Sequence, residues 1–231
     1  MEGGPLPLHV TKIVVPFVGS IDTRTNTFSG RIQITMEWPS TEDDIRAYAN
    51  NSRAFEPSFT PNLMALNATS SSVKLVSNPS GSAFKIVNRR NHCVFHVDAV
   101  FIEDFELENF PFDVQDLKMT FVLASSDAAT AHFVVDRRIT AFTCLTQYTA
   151  LPEWDFRKVI AYEDERDDCS HLNAAVMVRR RPWVYLLKLA SFSTVPNYIA
   201  LLAFIFPPYE FGSRIGVLLT LILALTGVGS A

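Results

Sequence analysis

Five histidines and three cysteines are the residues of this chain best suited to hold a metal or to act as nucleophiles. His9, His92, His96, His132 and His171 are scattered along the sequence. His92 and His96 share one face of a strand-like stretch, but extended chain sets them roughly 13 Å apart, too far for one metal ion. There is no glycine-rich phosphate loop and no nucleophile elbow. The chain is therefore not expected to be an enzyme, and no metal or cofactor is expected. A different kind of chemistry is suggested by LENFPFDVQDLKMTF, residues 107–121, where Phe110, Pro111 and Phe112 directly precede Asp113. Exposed loops rarely carry such an apolar cluster, so the rings are expected to meet another surface.

The elements that must position that loop follow from composition and period. With 231 residues, 48% hydrophobic, 12% aromatic and a net charge of −4, the chain can bury one good core and lacks the charge of a nucleic-acid binder. Residues 1–181 have the charge content of an ordinary domain, whereas 182–231 carry almost none. In RIQITMEW, Ile32, Ile34, Met36 and Trp38 alternate with polar residues, which is the period of a half-buried strand. HCVFHVDAVF places Cys93, Phe95, Val97, Ala99 and Phe101 on one face, and LKMTFVL groups Leu117, Met119, Phe121 and Leu123. The only helical run competing with them is TEDDIRAYAN. The fold class expected for 1–181 is a mainly β, immunoglobulin-like antiparallel sandwich.

The tail reads differently. From Trp183 to Phe206 a single charge, Lys188, interrupts a stretch that would rise roughly 36 Å as a helix, against a bilayer core of about 30 Å. A first transmembrane helix is expected at 182–206, a short linker at 207–214 and a second helix from 215 to 231. Steps of four and three from Gly216 reach Thr220, Leu223, Gly227 and Ser230, one face on which Leu223 is the only large apolar side chain. Met1 is followed by strand-like sequence and not by a secretory signal, so a leader outside this sequence is expected. Asn50-Asn51-Ser52 and Asn67-Ala68-Thr69 are sequons that suit an extracellular domain.

The loop FPFDVQ, the run RRRP entering the tail and the PP that precedes the second apolar run together resemble the pentameric ligand-gated ion channels, the Cys-loop receptor superfamily. The likeness extends over the chain. GSIDTRTNTFSGRIQITMEW is similar to the family's first two strands, FTPNLMALN to its first principal binding loop, and EWDF to the strand preceding its third. The positions matching the two loop cysteines are Glu103 and Leu117, so the resemblance is to members without that disulfide, whose loop would be held by packing.

The resemblance implies a subunit of a homo- or hetero-pentamer at the cell membrane. The subunit would be multi-pass, in contact with the lipid bilayer, with its N-terminal domain outside and a small-molecule agonist of unknown identity. It implies a coupling interface at Phe110, Pro111, Phe112, Asp113 and Arg180, with the rings against the outer ends of the membrane helices. The positions corresponding to the family's amine-binding aromatic cage are Leu66, Ala124 and Gln33, which leaves Tyr162 as the one candidate cage residue. Gly216, Thr220, Leu223, Gly227 and Ser230 would line the pore, and Glu210 would favour cations at its cytoplasmic mouth. The alternative is a membrane-tethered β-sandwich that binds a partner, or a subunit that conducts nothing.

Overall fold

Alternation builds the architecture strand by strand, because side chains at every second position share a face. The computed structural model describes residues 5–77, 82–124, 130–135, 141–144, 153–166 and 169–202, with Gly212, Ile215, Gly216 and Leu219. The chain divides into two compact units, Met1–Arg180 and Arg181–Ala231. Among the described residues the first unit holds β1 (Leu6–Asp22), β2 (Thr27–Pro39), α1 (Glu42–Asn50), β3 (Leu63–Ala65), β4 (Ala68–Leu75), β5 (Phe84–Val87) and β6 (Arg90–Ile102). These are followed by β7 (Val114–Leu123), β8 (Ala131–Val134), β9 (Ala141–Cys144), β10 (Trp154–Arg166) and β11 (Cys169–Arg180).

Two sheets result. One runs β4-β6-β2-β1-β8, with β5 also on β6 and β9 also on β1; the other runs β10-β11-β7-β3. Ile32, Ile34, Met36 and Trp38 on β2 and Leu117, Met119 and Phe121 on β7 are fully buried between them. Phe101 of β6 meets Phe121 of β7 edge-on, with ring centroids 6.2 Å apart, and stacks on Phe28 at 5.3 Å. Such aromatic contacts join the sheets through the middle of the core.

The sheets are not wholly antiparallel, as alternation alone led us to expect. β8 and β9 both pair with β1 in parallel, Leu6 opposite Ala131 and Lys12 opposite Ala141. Period two marks a strand and its faces but carries no information on the direction of its neighbour.

One polar hub stands inside the apolar packing. Thr41 caps α1, its hydroxyl accepting from the Asp44 N–H while the Asp44 carboxylate accepts from the Thr41 N–H. The same carboxylate accepts from Ser58 N at 2.8 Å and from Asn91 Nδ2 at 3.2 Å, tying the segment after α1 to β6. Burial pushes the Asp44 carboxyl up, and these donors together outweigh it and hold the group below the usual carboxylate value. Because the folded value is depressed, its contribution is present above the ordinary carboxylate value and is lost as pH falls through the folded one.

The second unit contains α2, Pro182–Leu202, a helix of 21 residues. At a rise of 1.5 Å per residue it is about 32 Å long. Yet among the described residues no helix is long and apolar enough to cross a membrane. This corrects the expected fold class of a sandwich followed by α transmembrane helices, the transmembrane assignment of 182–206 and the multi-pass cell-membrane location. The physical reason lies in what was counted. Lys188 is the only charge in α2, but Ser191, Ser193, Thr194, Asn197 and two prolines dilute its apolar content, and uncharged polar groups also weigh in transfer to hydrocarbon. The expected second helix and the linker lie almost wholly outside the described residues, and with them Glu210, Thr220, Leu223, Gly227 and Ser230. Gly216 is described, helical and exposed.

Replacing Asp44 by Ala removes a cap and leaves buried donors unpaired, and is expected to lower stability by about 2–4 kcal/mol. Urea unfolding followed by circular dichroism measures this. A loss below about 0.5 kcal/mol, the size of an ordinary surface substitution, would mean that Phe55 and Phe59 hold the segment without the carboxylate.

Candidate functional site

The core-facing series of β7 runs backward from Leu123, Phe121, Met119 and Leu117 to Gln115, and one step further, beyond the strand's start, lies Asp113. That of β11 runs forward from Leu172, Ala174, Val176 and Val178 to Arg180. The two strands pair antiparallel, Val114 opposite Arg179, so both polar ends arrive at the same end of the sandwich. Asp113, Gln115 and Arg180 are each less than 5% exposed.

There they form one network. Arg180 Nε donates to Asp113 Oδ1 at 2.7 Å and the Arg180 N–H donates to the Asp113 carbonyl at 3.1 Å. Trp154 on β10 is the cross-strand partner of Arg180, and its ring centroid is 4.1 Å from the guanidinium carbon; the Phe110 ring lies 5.0 Å from it. Gln115 Nε2 donates to Asp113 Oδ2 at 2.9 Å and to the Glu106 carbonyl at 2.7 Å, while Gln115 Oε1 accepts from the Glu106 N–H at 3.2 Å. Burial pushes the Asp113 carboxyl up, but the hydrogen bonds from Arg180 and Gln115 and the Arg180 charge hold it below the usual range. It stays ionised into acid.

Above this anchor the loop presents an apolar tip. Phe110 is 49% and Phe112 57% exposed, with Leu107 and Val114 also exposed. The Phe110–Pro111 peptide is cis. A patch of this kind on a firmly held loop suits contact with another surface more than it suits the core, where it would be covered. The arrangement ties the exposed apolar loop to Arg180, the last residue of β11.

The neck of the same loop is closed by polar groups, and not by packing alone as the absent disulfide suggested. Glu103 Oε2 accepts from the Lys118 N–H at 3.1 Å, and Lys118 Nζ lies 3.9 Å from Oε1. Beside it, Asn67 donates to the carbonyls of Ile102 and Lys118 and accepts from Thr120 N, so the second sequon asparagine is engaged in a clasp between the two sheets. Asn50, by contrast, is exposed.

The residues expected to form an agonist site do not all converge. Tyr162 of β10 lies opposite Asn173, which lies opposite Thr120, whose carbonyl accepts the N–H of Leu66. These share one row on the outer face of the β10-β11-β7-β3 sheet. Ala124 follows β7, its N–H donating to Asn62 O. Gln33 is on the outer face of the other sheet, between Val14 and His96. It can join Tyr162 only across a contact between two copies.

That other outer face is basic. Among the described residues Lys12, Arg31, Lys74, Lys85 and Arg90 fall on it by register, against Asp22, Glu37 and Asp98, with Arg31 paired to Asp98 and Arg90 3.9 Å from Glu37; the end of β10 carries Glu163, Asp164 and Glu165 in succession before Arg166, which pairs with Asp164. His9, Glu37, His92 and Lys85 make one row across four strands, and His92 Nδ1 is 3.3 Å from Glu37. No group of three His, Cys, Asp or Glu among the described residues could hold a metal ion. Cys93 is buried and its thiol is pushed up by that burial, which makes it unreactive.

Sequence reasoning missed Gln115, Glu106, Trp154 and Asn67 as parts of this site. The signal for Gln115 was available: it is a polar residue at a core-facing position. No protein-family model and no curated protein matches the chain. Fold and site thus describe a two-sheet domain with an exposed apolar loop tied at one end by a buried ion pair.

Removing one partner of the buried pair leaves the other charge uncompensated. Arg180→Ala is expected to cost about 3–5 kcal/mol in urea unfolding, and Arg180→Ala with Asp113→Ala less than the sum of the single changes. Additive effects in that cycle would show that the two side chains are not coupled.

Proposed function

We propose that residues 1–180 are the ligand-recognition domain of a subunit of the pentameric ligand-gated ion channel type, five copies joined head to tail. The observation that carries this reading is the buried Asp113–Arg180 pair beneath the exposed Phe110-Pro111-Phe112 tip. A domain that only binds has no need to fix a contact loop to the end of its final strand. A domain that must pass on the fact of binding does, because a loosely held loop would absorb the displacement. The sequence resemblance supports the same reading through the order and spacing of its motifs.

Two further features fit a ring. A basic outer face on one sheet and an acidic strand end on the other are complementary, and two different surfaces meeting head to tail close into a ring when the rotation allows. Gln33 and Tyr162 then come together only between neighbours. The ligand is not a quaternary amine held by an aromatic cage, since Leu66, Ala124 and Gln33 supply no ring faces for a cation.

Native mass spectrometry of the purified chain is expected to show a five-membered species that loosens as salt is raised, in the manner of a charge-complementary contact. A chain that stays monomeric at high concentration overturns the ring. Calorimetric titration with acetylcholine is expected to give no binding at low micromolar concentration; binding that is lost in Tyr162→Ala would restore the amine site.

A further inference from the structure

The contact loop is tied at its base and at its neck by two carboxylates in opposite circumstances. At its base, the Asp113 carboxylate accepts from an arginine and a glutamine. At its neck, Glu103 is only 14% exposed at the side chain, yet its compensation is one backbone N–H at 3.1 Å and an ammonium no nearer than 3.9 Å. Its charged surroundings are Asp104 from its own segment and Asp116 and Lys118 from β7, two like charges against one opposite. The turns packed against it are joined through backbone groups: the Glu103 N–H donates to Asn26 O, and Asn67 O accepts from Ile102 N.

From this geometry we infer that Glu103 is a proton-coupled latch, taking up a proton when the neck of the 103–118 loop closes and releasing it when the neck opens. The closed neck removes a carboxylate from water beside two other carboxylates, and the opened neck returns it. The proton is carried on Oε1, while Oε2 continues to accept the Lys118 N–H. Burial, with the charges of Asp104 and Asp116, holds the Glu103 carboxyl above the usual value despite Lys118. The sign follows: a folded value above the unfolded one means that the closed state binds more protons between the two, so closure strengthens as pH falls through that window and weakens as it rises. Asp113, displaced the other way, stays ionised there, so the base of the loop holds while the neck responds.

The proposal concerns the equilibrium of the loop itself and goes beyond the ring reading. Its test is hydrogen exchange of the full chain, read on peptides covering 103–118 and corrected for intrinsic exchange chemistry. Protection is expected to rise as pH is lowered from neutral towards the ordinary carboxylate value, because the displaced carboxyl takes up its proton above that value. Glu103→Gln keeps an acceptor for Lys118 N–H without a charge to bury, and is expected to be as protected at neutral pH as the wild type is in acid, with no pH response. Asp116→Asn removes one like-charged neighbour and is expected to move the transition to lower pH. A pH response that survives in Glu103→Gln, or wild-type protection that falls in acid, overturns the proposal. So does an unmoved transition in Asp116→Asn, which decides the matter even if the Gln variant does not fold. Native mass spectra under the same conditions separate this failure from failure of the ring.

Discussion

Everything at the functional end of the sandwich depends on one buried ion pair. Asp113 and Arg180 are both nearly inaccessible, and two such charges taken out of water repay their desolvation only when each remaining polar atom is also engaged. The surroundings meet that demand for the carboxylate and in part for the guanidinium. Gln115 takes the second carboxylate oxygen, and Trp154 and Phe110 place ring faces against the guanidinium. Gln115 then reaches on to both backbone groups of Glu106, so the far limb of the loop is held by the same residue that completes the pair. A replacement of similar shape and no charge would pack as well, but would not tie the loop to the last residue of β11.

The network is laid out by strand parity. Polar residues at the ends of otherwise apolar registers, Asn91 on β6, Gln115 on β7 and Arg180 on β11, turn inward where the core tapers and find partners on neighbouring strands. Asn91 serves Asp44 and thus α1, as Gln115 serves Asp113. The inner faces are apolar at their middles and carry these polar residues at their ends.

Much of this was legible in the sequence, for a physical reason: a half-buried strand leaves a period-two pattern that survives without knowledge of the fold. Ile32 to Trp38 and Cys93 to Phe101 announced both strand and face. The pattern could not give direction, so the parallel placement of β8 and β9 was missed. Counting charges cannot weigh Ser191, Asn197 and their neighbours, so charge alone points to a membrane span over 182–206 where the helix, 182–202, is not apolar enough for one. Glu103 closing the neck was hidden because its partner is a backbone N–H, which every residue but proline offers and which leaves no trace in side-chain spacing.

The two parallel strands on β1 bear on how the chain becomes a protein. β1 precedes every other described strand, and one of its edges is completed only by Ala131–Val134 and Ala141–Cys144. At ordinary rates of synthesis the ribosome needs on the order of ten seconds to deliver them. For that interval a long apolar strand has one neighbour, β2, and an open edge able to template pairing with another nascent chain. Such a fold places its greatest exposure to aggregation in translation, before its core exists, and slower synthesis would lengthen that exposure.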